Sequence, residues 1–435
     1  MIKKLYFFAL FFVVFFLLSL TFNFQKKYIF NLKSNLNIKN QSVANNNKEF
    51  KILLAGDLML DRMVKIKVDQ IANGDFSFLF SNILDYLKSF DYVIVNLEGP
   101  ISDKGVKVGS KYSFRMTPKI LDSLKKANIK VFNLANNHIA DYGQVAFLDT
   151  LDRLKKENFY YFGAGKNEYE AYSPLILNLN NHLVGILGFT EFLSHLQAKN
   201  NSPGIAFLED KKFKEAIKKA REKVDILIVI FHWGEEYQKK PNQKQIYYAR
   251  QAIDLGADLV IGHHPHIVQE IEVYKNKYIF YSLGNFIFDQ NFSQETMKGG
   301  LVEVTIENKK IKDINFRYAY LNKNFQIENL SPLMKIYNLE EKVYKLLIAQ
   351  NEKEWQQGLM FVKCPCDFDG MIFIFPDKQI RYFWNKNTYL DLDIYWLDDH
   401  KILGKESLPS IQKTKNIKTI NSPLPANKVI EIINK

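Results

Sequence analysis

Cysteine is scarce: the 435 residues hold two, Cys364 and Cys366. So few exclude a disulfide framework. A bridge across the single intervening proline would be strained, and the pair lacks the further ligands a metal site would need, so two unremarkable thiols are expected. No internal repeat of fixed period is present, which argues against a repeat architecture. No basic stretch is interleaved with aromatics in the manner of a nucleic-acid surface, so no nucleic-acid partner is expected. That absence matters because the charge is one-sided: 59 Lys and Arg stand against 47 Asp and Glu, a formal charge of +12. A basic surface favours anionic lipid, nucleic acid or an acidic polymer, while a Lys- and Asn-rich background composition accounts for the same excess. Beyond residue 25 there is no second long apolar run.

The first apolar run is informative. Lys3 and Lys4 precede Leu5 to Leu18, and the run extends through Leu20 and Phe22. Its length is near that needed to span a bilayer. Ser19-Leu20-Thr21 lacks the small residues of a cleavage site. An uncleaved signal anchor over residues 1–24 is therefore expected, giving a single-pass protein of the cell membrane. Lys26, Lys27 and Lys33 follow the run, so charge bias does not fix its orientation. A hydrophobic start after a short N-terminus is the usual export signal, which places the remainder outside the cytoplasm. Residues 25–48, rich in Asn, Lys, Gln and Ser, read as a linker.

From there strands alternate with helices, which argues for an α/β architecture. Strand Lys51 to Ala55 ends in Gly56-Asp57, and strand Tyr92 to Asn96 in Leu97-Glu98-Gly99. Strand Lys130 to Leu134 leads to Asn136-Asn137-His138, and Asp225 to Phe231 to His232-Trp233-Gly234. Strand Asp258 to Ile261 ends in Gly262-His263-His264-Pro265-His266, and Tyr278 to Ser282 in Leu283-Gly284-Asn285. Helices are expected over Phe76 to Phe90, after Pro118, and over Lys244 to Leu255. Polar residues thus sit repeatedly just after a strand, where ligands gather in α/β sheets. Leu339 to Glu354 reads as one strand-like run. Short strands follow at Met371 to Phe375, Ile380 to Trp384 and Leu392 to Leu397.

Divalent metals take carboxylate oxygen and imidazole nitrogen. Two of them roughly 3.5–4 Å apart clamp a phosphoester and furnish a nucleophile at neutral pH. Asp57, Glu98, Asn137, His232, His264 and His266 offer such a donor set. The order of these words resembles the calcineurin-like phosphoesterases. The local words Gly56-Asp57-Leu58-Met59-Leu60-Asp61-Arg62, Asn96-Leu97-Glu98-Gly99-Pro100, His232-Trp233-Gly234-Glu235-Glu236-Tyr237 and Ser282-Leu283-Gly284-Asn285-Phe286 are similar to the poly-γ-glutamate capsule proteins of the CapA family.

The resemblance implies a β-sandwich flanked by helices over residues 49–325, with two divalent ions (Mn, Zn or Fe) as cofactors. Asp57 and His266 would serve the first ion, Asn137, His232 and His264 the second, and Glu98 would bridge them. His138 would be the catalytic residue, protonating a leaving group or stabilising developing charge without binding metal. Arg62, Arg115, Glu236, Tyr237 and Asn285 would line the substrate path; both arginines also read as structural. Trp233, Tyr237 and Phe286 are read as pocket walls or core. Residue 59 is Met where the superfamily has His, which leaves the first site either weak or completed by water or His263; His263 also reads as a hydrogen-bond donor beside the site. The implied activity is a metal-dependent hydrolase or transferase in making, exporting or anchoring an anionic polymer such as poly-γ-glutamate. Within a polymer synthase complex it would meet polymer or phosphoester substrates. A non-catalytic scaffold and a general phosphodiesterase remain the alternatives.

Residues 335–435 resemble the domain of unknown function 192. Gly370-Met371-Ile372-Phe373-Ile374-Phe375 and Phe383-Trp384-Asn385-Lys386-Asn387-Thr388 carry the likeness. A small β-rich domain is expected there.

Overall fold

In the computed structural model, which describes residues 49–434 apart from Ser110 and Asn180, the apolar runs become strands whose side chains divide by parity. In chain order the strands are β1 (Phe50–Leu58), β2 (Tyr92–Leu97), β3 (Ile129–Asn133), β4 (Tyr160–Phe162), β5 (Ala164–Gly165), β6 (Leu175–Leu179), β7 (His182–Thr190), β8 (Gly204–Ile205), β9 (Ile226–His232), β10 (Leu259–His263), β11 (Ile271–Tyr274) and β12 (Lys277–Phe280). They continue with β13 (Asn285–Ile287), β14 (Lys298–Glu307), β15 (Lys310–Leu321), β16 (Ile327–Leu330), β17 (Met334–Leu339), β18 (Lys342–Ala349), β19 (Gly370–Gln379), β20 (Tyr382–Trp384), β21 (Leu392–Asp398), β22 (Lys401–Leu408), β23 (Thr419–Asn421) and β24 (Ala426–Ile433).

Strand β9 is buried along its whole length. Its Ile226, Ile228 and Ile230 face one apolar cluster, and Leu227, Val229 and Phe231 face another. In β1, Ile52 and Leu54 join the first of these clusters, whereas Leu53 and Ala55 turn to a third. A strand with two buried faces belongs between layers, and parallel sheets show this pattern. The shared cluster lies between two sheets. The larger runs β22-β21-β24-β19-β18-β17-β15-β14-β1-β2-β3-β4, and the smaller β11-β12-β10-β9-β7-β6. Helices Arg62–Ala72 and Gly143–Lys156 cover the outside of the first sheet through Val64, Val68, Phe147 and Leu151. Helices Asp210–Arg221 and Gln243–Asp254 cover the second through Phe213, Ile217, Ala249 and Ala252. The architecture is the α/β sandwich flanked by helices that the sequence led us to expect.

Strands β1, β2 and β3 run parallel, as do β7, β9, β10 and β12. The polar words that follow β1, β2, β3, β9 and β10 therefore open at carboxyl strand ends. After β15 the chain becomes β-rich. Strand β17 pairs with β15 through Asn315↔Lys335 and Phe316↔Met334, so the later strands extend the larger sheet. They carry their own apolar clusters, one around Phe373 and Trp396 and one around Ile430 and Leu397.

Several expectations are corrected. Leu339 to Glu354 is not one strand: β18 ends at Ala349 and a helix, Glu352–Gln357, follows. Asn351 stops the strand because its side chain accepts the Glu354 N–H, a helix N-cap. Phe76 to Phe90 is not one α-helix but a 3-10 turn, Phe76–Ile83, followed by helix Leu84–Lys88. Cys364 and Cys366 are not free thiols but a disulfide; their Cα atoms lie 4.6 Å apart, a separation a disulfide spans. The single-pass membrane location is withdrawn. Among the described residues no helix is long and apolar enough to cross a membrane. The run that suggested an anchor, and the linker after it, lie outside the described residues.

Candidate metal centre

Each strand end delivers one polar group to a common point. Asp57, near the end of β1, is fully buried, as is Glu98 just after β2. His232 closes β9 and is equally buried. His264 and His266 follow β10 in left-handed backbone, with φ of 97° and 57°. Non-glycine residues rarely hold such angles, and they persist where surrounding structure fixes them. Here the His264 N–H donates to Asp57 Oδ2 at 3.2 Å, tying the turn to β1.

Two triads could each hold a cation, because within each the ligand atoms lie within 4.8 Å of one another: Asp57, Glu98 and His232, and Glu236, His264 and His266. They interlock at His266, whose Nδ1 is 3.4 Å from Asp57 Oδ2 and whose Nε2 is 3.7 Å from Glu98 Oε1. Asn137 completes the cluster, its Oδ1 2.7 Å from His232 Nε2. The residues fit divalent cations on two counts. Glu98 Oε1 and His264 Nδ1 are buried without a hydrogen-bond partner, and such orphans are costly unless something charged meets them. The donor set is also the carboxylate and imidazole mixture that divalent metals take.

The electrostatics of the protein alone are divided. Burial and the Asp57 charge push the Glu98 carboxyl well above its ordinary range. Burial would raise Asp57 too, but His263 and His266 beside it hold it well below. Burial, then His264, keeps His232 well below the usual imidazole value, and burial with His266 lowers His264 to about 3. Both are neutral rings with a lone pair to offer. Burial would lower His266 as well, but the Glu98 and Asp57 carboxylates outweigh it and push it up to about 9.

His138 stands on the rim. Its Nδ1 is 2.7 Å from Asp141 Oδ2, and its Nε2 lies 3.8 Å from Glu98 Oε1. Its ring packs on Phe114 at a centroid distance of 4.2 Å. Asp141 thus turns the free nitrogen toward the cluster, the role an orienting carboxylate plays for a catalytic imidazole.

The other expected residues divide between the cluster and its surroundings. Arg62 is part exposed and pairs with Asp289 at 3.1 Å. The Arg115 guanidinium donates to the Lys104 and Gly105 carbonyls, so it braces a loop. Glu236 is exposed and joins the second triad. Tyr237 lies 6.1 Å from His266, ring to ring, and accepts from Gln290. Asn285 is fully buried behind His266, its Oδ1 3.0 Å from Nδ1. Met59 is buried, with its sulfur accepting the Asp61 N–H. Among the described residues, His263 Nδ1 approaches Asp57 Oδ1 at 3.4 Å.

Asn96 had not been singled out for a role. Its side-chain amide reaches Asp57 Oδ1 at 2.8 Å and His232 Nδ1 at 3.2 Å, and its oxygen accepts from Asn133. It joins the two sheets beneath the cluster. Its position two residues before Glu98 was the available signal, but a strand-end Asn reads first as a turn former. Asp141 was missed because its partner lies only three residues away, a spacing common by chance.

Gly56 lets the strand ends close. A Cβ there would lie 2.0 Å from the Gly284 carbonyl oxygen, which accepts the Asp57 N–H. Gly56→Ala is expected to force β1 and β13 apart at a cost of about 3 kcal/mol or more, since backbone rather than a side chain must yield. Urea unfolding measures it; an unchanged midpoint would show that the strand ends have room for a methyl group.

Residues 51–290 match the family described as bacterial capsule synthesis protein PGA_cap. Residues 335–434 match the domain of unknown function 192, described as an uncharacterized ACR. The chain is 35% identical over 272 residues to the capsule biosynthesis protein CapA of Bacillus anthracis, covering 59% of this chain and 64% of that protein. It is 37% identical over 252 residues to the PGA biosynthesis protein CapA of Bacillus subtilis (strain 168), covering 57% and 65%. The chain thus spans a little less than two thirds of either relative. A solved structure described as a novel phosphatase from Mycoplasma pneumoniae is similar over 65% of this chain and 98% of its own, at 16% identity and a TM-score of 0.39, too distant to speak to activity. Because the family match takes in more than half of the chain, the protein belongs to the bacterial capsule synthesis protein family.

Proposed function

We propose that this capsule-synthesis protein is a metal-dependent hydrolase or transferase acting on an anionic surface polymer such as poly-γ-glutamate, or on a phosphoester used in its handling. The observation that carries the reading is the convergence of Asp57, Glu98, His232, His264 and His266, buried and in part unpartnered, beside an oriented His138. Asp57, Glu98, Asn137, His232, His264 and His266 would hold the ions, with Glu236 as a further ligand. Divalent ions bound there supply Lewis acidity and acidify water. His138, as the doubly protonated ring, gives a proton from Nε2 to the leaving group, while Asp141 accepts the Nδ1–H and so holds that ring in place and offsets its charge. Arg62, part exposed, held by Asp289 and 5.4 Å over the Phe114 ring that packs on His138, would meet the anionic part of the substrate. Phe114 and Phe192, packed on His138 and His264, exclude water from one side.

The test is turnover by the purified protein loaded with manganese, zinc or iron. Poly-γ-glutamate and bis(p-nitrophenyl) phosphate are the two substrates. Metal-dependent shortening of the polymer supports polymer chemistry, and release of nitrophenol supports phosphoester chemistry. Bound metal with neither reaction would remove the catalytic reading and leave a polymer-handling scaffold.

A further inference from the structure

Strand β24 carries an anomaly far along the chain from the metal cluster. By parity Val429, Glu431 and Ile433 share one face, and Val429 and Ile433 lie in the apolar cluster around Phe373 and Trp396. Glu431 should therefore be apolar. It is 5% exposed, its cross-strand neighbours are Met371 and Ile394, and its Oε2 has no hydrogen-bond partner. Burying a carboxyl in this way costs stability unless a partner arrives.

The carboxyl faces a cavity of about 570 Å³. Trp355, Phe373, Phe375, Phe383 and Trp384 contribute to its walls. Trp384 is half exposed, so the cavity is open at that edge. The rings already accept a cation: the Arg381 guanidinium lies 3.9 Å from the Phe375 centroid. That charge is cancelled by the adjoining Asp377 carboxylate, and Arg381 also donates to the Ala426 carbonyl. The remaining titratable groups of the lining are Glu352, exposed at the rim, and Tyr382, also exposed. No fixed cation among the described lining residues is therefore left for Glu431.

We propose that this cavity binds a small organic cation, an ammonium or quaternary ammonium on an apolar body, with Glu431 as its counter-charge and the aromatic walls as its cage. Aromatic faces attract cations most strongly when water is excluded, and a buried carboxylate becomes favourable only once paired. Without a ligand, burial pushes the Glu431 carboxyl up to about 8, so at neutral pH it is mostly protonated. A quaternary ammonium entering the cavity expels that proton to solvent. Binding must then tighten as pH rises toward 8 and level off above it.

The probe is benzyltrimethylammonium, titrated into the full protein by calorimetry at pH 6, 7 and 8, with benzylamine as a second cation and benzyl alcohol as the neutral control. Saturable binding of a cation, on the order of tens of fold tighter at pH 8 than at pH 6, is expected. Glu431→Gln should weaken it at least tenfold and remove the pH dependence. Because the substituted amide keeps the shape and sheds the charge, the fold should survive; Trp384→Ala, on an exposed ring, gives a second loss that does not disturb the core. Equal binding by Glu431→Gln, equal binding of benzyl alcohol, or no binding of either cation overturns the proposal.

Discussion

Replacing His264 and His266 together by alanine is expected to take the protein from two bound divalent ions per chain to none. His266 touches both the Asp57 and the Glu98 carboxylate, and the His264 ring stands beside His266 and His232. Without them Glu236 loses both imidazoles of its triad and Asp57 loses His266, while His232 keeps Glu98, Asp57, Asn137 and Asn96 beside it. Metal that binds the folded chain alone also stabilises it, by about 4 kcal/mol at a concentration a thousand times Kd. The unaltered protein should therefore melt higher on adding manganese or zinc, and the double variant should not. Metal content after dialysis and the melting temperature with and without metal read the two effects separately. One ion in the unaltered chain would mean that Met59, standing where a histidine ligand was expected, leaves one site too poor to fill. No ion after reconstitution would remove the metal centre altogether.

His138→Ala is expected to lower kcat by about 10²–10⁴-fold, the usual worth of a placed general acid, while leaving bound metal unchanged. The division follows from geometry: His138 approaches Glu98 only at 3.8 Å and is anchored instead to Asp141. Asp141→Asn should give a smaller loss, because the ring stays but the carboxylate that offsets its charge is gone. The assay is turnover of whichever substrate the metal-loaded protein accepts, with metal content measured on the same samples. If His138→Ala turns over at the unaltered rate, the acid is another group; if it also loses metal, His138 is a ligand instead.

Much of this centre was legible without coordinates because its parts are local. A carboxylate or imidazole directly after a buried strand reads in one dimension, and the alternation of Ile226, Ile228 and Ile230 with Leu227, Val229 and Phe231 announces a strand buried on both faces. The grouping of the ligands was not legible. Glu236 was read as a substrate contact, yet it lies with His264 and His266 because the chain after β9 turns back over the loop after β10, where the Tyr237 N–H meets the Pro265 carbonyl. Asn285 was read in the same way, but the pairing of β13 with β1 places it behind His266. Arg115 was open to both readings, and only the fold shows its guanidinium spent on a loop.

The C-terminal region shows the same divide. Its strands were visible as aromatic runs, whereas Glu431 passed as one more charged residue near the end of the chain. Only the pairing of β24 between β19 and β21 makes it a buried acid. By itself the sequence determined the α/β class, the strand ends and the chemical types of the ligands, because strand periodicity and donor identity are properties of neighbouring residues. The tertiary structure decided which donors lie together, which polar groups stay unpartnered, and that Cys364 and Cys366 lie close enough to bond. Those outcomes depend on distances between segments far apart in the chain, or on a backbone turn whose shape composition does not fix.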